Sequence, residues 1–498
     1  MRTRFAPSPT GNLHVGGLRT ALYAWLLARQ SGGQFLVRVE DTDKEREVPG
    51  AVEQMLKALA WAGIEPDEGV VLRDGVVSQI GTCGPYIQSQ RLDLYKAAAD
   101  TLLAQGHAYY AFDTKEELDA MRTKEQAAGN PSPKYDASVR MRMRNSLTLP
   151  KEETEKLLKD GTPYAIRLKM PEGETLEWDD VIRGPVSFHS RDVDDQVLLK
   201  SDGFPTYHLA HVVDDHGMKI DLVLRGEEWL SSTPKHLVLF RALGYPIPRY
   251  AHVPLMLNSD RSKLSKRQDD VSVDEYVAKG SLPEALVNFV AFLGWNPGTT
   301  QEIFSLNELI DAFSLERVQK GGAVFDLQKL EWLQGQWMRL LPENEFAKRA
   351  KEASESCIPE VETDGDFLKK ALLIRERITF FPEAPDMLEC FYRRPAADIA
   401  LMANSKQKVE AADLPRYLGL LESILDLIPE DHWNDQRILA DVKACVESNG
   451  LKLGQLLWPL RALLTGKAFS PGAVEVAAVL GKAETMERVR AAMKVAGA

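Results

Sequence analysis

The opening 63 residues switch between two hydrophobic periods, and this switching limits the possible folds more than any other feature of the chain. A short extended run through Arg4-Phe5-Ala6 passes into APSPTGNLHVGG, which holds two prolines, three glycines and one histidine. LRTALYAWLLAR (18–29) then sets Leu18, Leu22, Trp25, Leu26 and Arg29 at helical spacing, with Gly32-Gly33 as stop signals. QFLVRVEDTD (34–43) alternates Phe35, Val37 and Val39 with Leu36, Arg38 and Glu40, the period of a strand. A second helix is expected from Pro49 to about Gly63, carrying Val52, Met55, Leu56 and Leu59 on one side. Such a βαβα rhythm implies a parallel sheet with helices on its faces.

The rhythm stops near Gly84. Up to His189 the chain reads as a mixed insertion, with a helix on Leu92, Tyr95, Ala99 and Leu102 and a strand in YAIRLKM (164–170). Strand alternation is expected to resume at DQVLLK (195–200), pass through TYHLAHVVDDH (206–216) and continue in KIDLVLRGEEWL (219–230). A helix should follow, with Thr233 as N-cap, Pro234 at the first helical position, a core face of Leu237, Phe240 and Arg241, and Gly244 as the stop. Beyond about residue 329 only helical periodicity is evident. At 498 residues the chain exceeds what one core usually serves, so two to four domains are expected. Its four cysteines, Cys83, Cys357, Cys390 and Cys445, form no CxxC pair, which argues against a disulfide framework and fits a reducing compartment. No leader-like N-terminus or run of about 18 apolar residues is present, so a cytoplasmic protein is expected. With a net charge of −12, contact with nucleic acid must come from local basic patches.

Two stretches carry chemistry. In APSPTGNLHVGG, Pro7 and Pro9 keep the backbone extended, while Gly11, Gly16 and Gly17 let a ligand approach where the helix begins. A helix start favours phosphate, and His14 adds a donor there. The plainer reading is a Pro/Gly turn with a capping histidine. In KLSKR, Lys263, Lys266 and Arg267 form a dense cationic run, which by itself reads as a solvated face. Asp41 and Asp43 could form a metal pair or cap the turn before Pro49. In VRMRMR, Arg140, Arg142 and Arg144 share a face if the run is a strand, and with Lys134 they could meet phosphates; a charge-guarded strand edge is the alternative.

APSPTGNLHVGG resembles the HIGH motif of class I aminoacyl-tRNA synthetases, and KLSKR resembles their KMSKS loop. Taken with FLVRVEDTD, GPYIQSQR, GFPTYHLAHVVDDH and LVLRGEEWLSSTPKH, the sequence is similar to the glutamyl-tRNA synthetases over essentially its whole length. The resemblance implies an α/β, doubly wound parallel-sheet (Rossmann-like) catalytic domain with a mixed α+β insertion and an all-helical C-terminal region. The implied domains are 1–83 and 190–258 for the catalytic halves, 84–189 for an acceptor-stem insertion, 259–328 for a stem-contact region with the KLSKR loop, and 329–498 for anticodon binding. Two departures stand out. The fourth HIGH position is Gly17, leaving His14 as the one imidazole, and the insertion lacks the zinc knuckle of some relatives, so no structural zinc is expected.

The implied reaction joins L-glutamate to ATP, with Mg²⁺, as an adenylate and passes the glutamyl group to tRNA(Glu). The resemblance puts His14, Lys263 and Lys266 in the catalytic role. Gly16, Gly17, Glu228, Trp229 and Lys266 would bind ATP, and Arg4, Ala6, Ser8, Glu40, Tyr207 and Arg225 would bind glutamate. Arg4 and Arg225 would read the side-chain carboxylate, since arginine offers a fork that lysine cannot. Taken without the resemblance, Arg225 reads as an ordinary exposed strand-end arginine and Tyr207 as a core aromatic. The family pattern further implies a monomer without protein metal ligands, and glutamate activation that requires bound tRNA. The rivals are a glutaminyl-type enzyme, a tRNA-independent nucleotidylyltransferase and a non-catalytic tRNA-binding protein.

Overall fold

The computed structural model describes residues 1–262, 264 and 272–497. Its strands are β1 (Arg2–Phe5), β2 (Gln34–Val37), β3 (Glu68–Arg73), β4 (Val76–Ile80), β5 (Ala108–Ala111), β6 (Ala165–Leu168), β7 (Thr175–Asp180), β8 (Gly184–His189), β9 (Val197–Leu199), β10 (Leu222–Gly226) and β11 (Arg249–Val253), besides a short two-stranded pair further on. The main sheet has the order β4-β3-β2-β1-β10-β11-β7-β8. From β3 to β7 all pairings are parallel, and β4 and β8 close the two edges antiparallel. The first strand lies between β2 and β10, so the direction of winding reverses at β1/β10; in such sheets ligands bind beyond the strands' carboxyl ends at that point. Helices α1 (Val15–Gln30), α2 (Ala51–Trp61), α3 (Leu92–Ala104), α4 (Tyr207–Gly217) and α5 (Thr233–Ala242) accompany the strands of this unit.

Several expectations are corrected. The strand expected within 34–43 is shorter, Gln34–Val37, and Phe35 to Glu40 are all buried, Arg38 fully, as helix cover on a parallel sheet demands. The 206–216 stretch is the helix α4; its run of buried residues, Leu209 to Asp215, hides the helical period. The boundary at residue 189 does not follow the sheets. The β7–β8 hairpin joins the main sheet through Asp180 opposite Tyr250, whereas β9 pairs with β6 in a separate sheet of order β5-β6-β9. VRMRMR forms no strand: Asp136 accepts hydrogen bonds from Ser138 and Val139 N–H and starts a helical turn, Ala137–Arg140. Arg140 is buried against Asp195 at 3.4 Å, Arg142 pairs with Glu125 at 2.8 Å, and the Lys134 ammonium donates to the Asp192 carbonyl, so these side chains form no shared cationic face. Thr233 is the first residue of α5, not its cap, and Arg241 is exposed.

Asp195, just before β9, ties the strands of the small sheet together, accepting from the Tyr109 hydroxyl on β5 (2.7 Å) and from Met170 N–H after β6 (3.0 Å). Burial pushes its carboxyl up to about 6, outweighing the Tyr109 hydrogen bond and the Arg140 charge. An unfolded aspartate titrates near 3.9, so between about pH 4 and 6 the folded state holds the extra proton and stability falls as pH rises. Asp195→Asn removes this slope. Urea unfolding across that window should find the variant gaining on the parent by on the order of 2–3 kcal/mol.

The chain divides into two compact units, Met1–Tyr276 with Leu286–Leu327, and Val277–Ala285 with Gln328–Ala498. The second is helical among its described residues from Gln328 on, with Phe346, Leu418, Leu421, Leu456, Leu460 and Val489 fully buried in one core. None of the described helices is long and apolar enough to cross a membrane.

Candidate active site

Phe5 ends β1, and the chain then crosses the carboxyl edge of the sheet as Ala6-Pro7-Ser8-Pro9. The carbonyls of Pro7 and Pro9 accept from Glu40 and Val48 N–H, both at 2.9 Å, which fixes the loop against the segment after β2. Gly11 has φ +137°, which only glycine adopts without strain. His14 is the N-cap of α1, and its Nδ1 accepts from Gly17 N–H at 3.3 Å. That bond places the proton of a neutral ring on Nε2. His14 thus caps the helix, as the plainer reading has it, and also lines a cavity. At Gly16 a Cβ would lie 3.1 Å from His14 Nδ1 and 2.9 Å from the flexible Met256 methyl, so a side chain there would press on the capping imidazole.

The cavity is about 750 Å³ and opens over the β1/β10 ends. Arg4, Ala6, Ser8, His14, Gly16, Gly17, Glu40, Tyr207, Arg225, Glu228 and Trp229 all line it, together with Leu264 from within the KLSKR run. Every site residue expected from the sequence is thus at one place, except Lys263 and Lys266, which lie outside the described residues.

The two arginines differ. Arg4 is held by Asp215 through Nε (3.1 Å) and Nη2 (3.4 Å). Asp215 also takes Arg38 Nη1 at 2.6 Å, and Arg38 Nη2 donates to Glu40 at 3.0 Å. Arg91 and Tyr95 hold the neighbouring Asp214. In this network Asp215 is held below its usual range, since the charges of Arg4 and Arg38 outweigh burial, whereas burial wins at Glu40 and raises it.

Arg225 is also buried, 5% exposed, yet among the described residues no carboxylate pairs with it. Its five N–H bonds meet neutral acceptors. Nε donates to His252 Nε2 (3.1 Å), Nη1 to the Tyr207 hydroxyl (2.9 Å) and His236 Nδ1 (3.3 Å), and Nη2 to the Thr233 hydroxyl (2.9 Å) and the Trp229 carbonyl (3.4 Å). Burial holds His208, His211, His236 and His252 below the usual imidazole range, so at neutral pH they add no charge. A buried guanidinium without a carboxylate partner is costly unless an anion meets it. The Tyr207 hydroxyl accepts from Arg225, so its own proton is a donor still to be placed.

Sequence reading missed Arg38, Asp214, Asp215, Asp180, His236 and His252. The adjacent acids of HVVDDH, set in an apolar run, and the lone arginine of FLVRVE were signals of buried charge. Asp41, by contrast, accepts from Ser89 N–H and pairs with Lys44, while Asp43 pairs with Arg46.

A family model described as the catalytic domain of class I tRNA synthetases (E and Q) matches residues 1–332, and one described as an anticodon binding domain matches 345–493. A glutamate–tRNA ligase of Chloroherpeton thalassium is 45% identical over 505 residues, spanning 99% of this chain and 97% of that protein. The glutamate–tRNA ligase of Alkaliphilus metalliredigens is 43% identical over 499 residues, spanning 98% of each. A crystal structure of a glutamate tRNA ligase from Elizabethkingia meningosepticum in complex with its amino acid superposes with a TM-score of 0.87 at 37% identity, over 99% of both chains.

Proposed function

The chain belongs to the class I tRNA synthetases of the glutamate and glutamine type, and from that premise we propose that its cavity joins L-glutamate to ATP and delivers the glutamyl group to tRNA(Glu). The uncompensated charge of Arg225 is the observation that carries the choice of glutamate. A glutaminyl substrate would place a neutral amide against it and leave the cation unmatched. Arg4 stands beside Arg225, but its charge is spent on Asp215, so Arg4 shapes the pocket while Arg225 reads the acid. Glu40 and Ser8 hold the α-amino end, and Ala6 leaves room for the chain of the substrate.

In the first step the substrate's α-carboxylate attacks the α-phosphate of ATP in line, and pyrophosphate departs. Charge grows on phosphate oxygens, so the protein's work is positioning and electrostatic stabilisation. His14 donates from Nε2, the start of α1 contributes its dipole, and Lys263 and Lys266 meet the triphosphate from the KLSKR loop. Glu228 and Trp229, on the segment after β10, hold the nucleoside. Mg²⁺ enters with ATP and neutralises phosphate charge. We assign it no protein ligands and no structural zinc to the chain. The helical unit beyond residue 328 takes the anticodon end of the tRNA, and the region carrying β5, β6 and β9 takes the acceptor stem. The enzyme acts as a cytoplasmic monomer.

Pyrophosphate exchange tests this directly. Exchange is expected with glutamate and tRNA(Glu), and to collapse without tRNA; exchange driven equally by glutamine would overturn the assignment. Lys266→Ala is expected to lower the exchange rate about 10²-fold or more while leaving the melting temperature unchanged.

A further inference from the structure

Arg225 reaches the cavity from a strand end, and one side of its guanidinium is held by residues outside the cavity lining. The Nε–H points away from the cavity towards His252 Nε2, 3.1 Å away. Arginine Nε can only donate, so His252 Nε2 must accept, and the imidazole proton is therefore on Nδ1. Nδ1 faces Asp180 Oδ2 at 2.5 Å. Asp180 is itself fixed, because its Oδ1 accepts from the N–H groups of Ile182 (3.1 Å), Arg183 (3.0 Å) and His252 (3.2 Å). Asp180 and His252 are 2% and 0% exposed.

We propose that Asp180 and His252 are positioning residues for the substrate-reading guanidinium of Arg225, so that the β7–β8 hairpin belongs to the glutamate-selecting apparatus. This rests on the reading of Arg225 given above. The interposed ring explains why the aspartate does not bind the arginine itself. A direct Asp–Arg pair would occupy two fork donors and neutralise the charge. The imidazole takes only Nε, through a neutral acceptor, and leaves the charge for the ligand. The same hairpin reaches the nucleotide side of the cavity, since Arg183, in its turn, pairs with Glu227, next to Glu228 and Trp229.

A purely architectural role is the competing account, because Asp180 also supplies the register contact of β7 with Tyr250 on β11. Two amides separate them. His252→Asn retains a donor near the Nδ1 position, facing Asp180, but has no acceptor for Arg225. His252→Gln places its amide oxygen near the Nε2 position, facing Arg225. Steady-state exchange kinetics with tRNA present should give His252→Asn a KM for glutamate raised about ten- to hundred-fold, with the KM for ATP within error of the parent and a fall in melting temperature that His252→Gln shares. His252→Gln should recover most of the glutamate KM. Equal KM values for the two variants, or KM changes for glutamate and ATP that move together with melting temperature, would overturn the positioning role. Arg225→Gln, run in parallel, separates the layers: if it leaves the glutamate KM unchanged, the reading of Arg225 fails as well. If only the His252 variants are silent, the positioning proposal alone fails.

Discussion

Arg225→Gln is expected to lower kcat/KM for glutamate by about 10²- to 10³-fold while changing the KM for ATP little. The magnitude follows from removing one partner of a buried charge pair, which costs roughly 2–5 kcal/mol, most of it the penalty of an anion left without its counter-charge. Glutamine keeps hydrogen-bond donors for the Tyr207 hydroxyl and Thr233, so the fold should tolerate it better than an apolar residue. Arg225→Lys is not a conservative change here. An ammonium carries its donors on one nitrogen and cannot reach His252, Tyr207 and Thr233, which bond the three separate nitrogens Nε, Nη1 and Nη2 of the guanidinium. A lysine variant should therefore retain the preference for an acid over its amide but lose turnover with both. Exchange assays with glutamate and glutamine, on proteins matched for melting temperature, measure the two effects.

The second large effect is expected at His14, where capping and catalysis fall on different ring nitrogens. Asparagine is a good N-cap and can replace the acceptor that Nδ1 offers to Gly17 N–H. It cannot replace the Nε2–H donor that the reaction proposed above requires. His14→Asn should thus melt within a few degrees of the parent while its exchange rate falls about 10²- to 10³-fold, the usual consequence of deleting one donor to a developing oxyanion. His14→Ala should show the same kinetic loss and a further cost of about 1 kcal/mol from the uncapped helix. A comparison of the two by thermal melting and single-turnover adenylate formation separates the roles. If His14→Asn kept full rate, the imidazole would be a cap and nothing more.

How far the site was legible in the sequence depended on the range over which each constraint acts. APSPTGNLHVGG was readable because proline, glycine and a capping histidine restrict the backbone within a few residues of themselves. Arg225 was readable as a position because LVLRG ends an extended run. Its meaning was not, since neutrality of its surroundings is a property of Tyr207, Thr233, His236 and His252 converging from several elements. Arg38 and Asp215 are 177 residues apart, and Asp180 and His252 are 72 apart. No local pattern encodes such pairs. The β7–β8 hairpin was misplaced for a related reason. Its internal pairing is local, but the strand it lies beside, β11, comes 60 or more residues later, as the register contact of Asp180 with Tyr250 shows. In the same way, burial of α4 on nearly every side removed the polar stripe by which an amphipathic helix is recognised.

Crystals of this chain with bound glutamate decide which arginine reads the substrate. The side-chain carboxylate is expected within about 3 Å of the Arg225 guanidinium and the Tyr207 hydroxyl, with the α-carboxylate turned towards His14. A side chain lying instead against Arg4 and Asp215, with Arg225 still bound only to neutral acceptors, would contradict it.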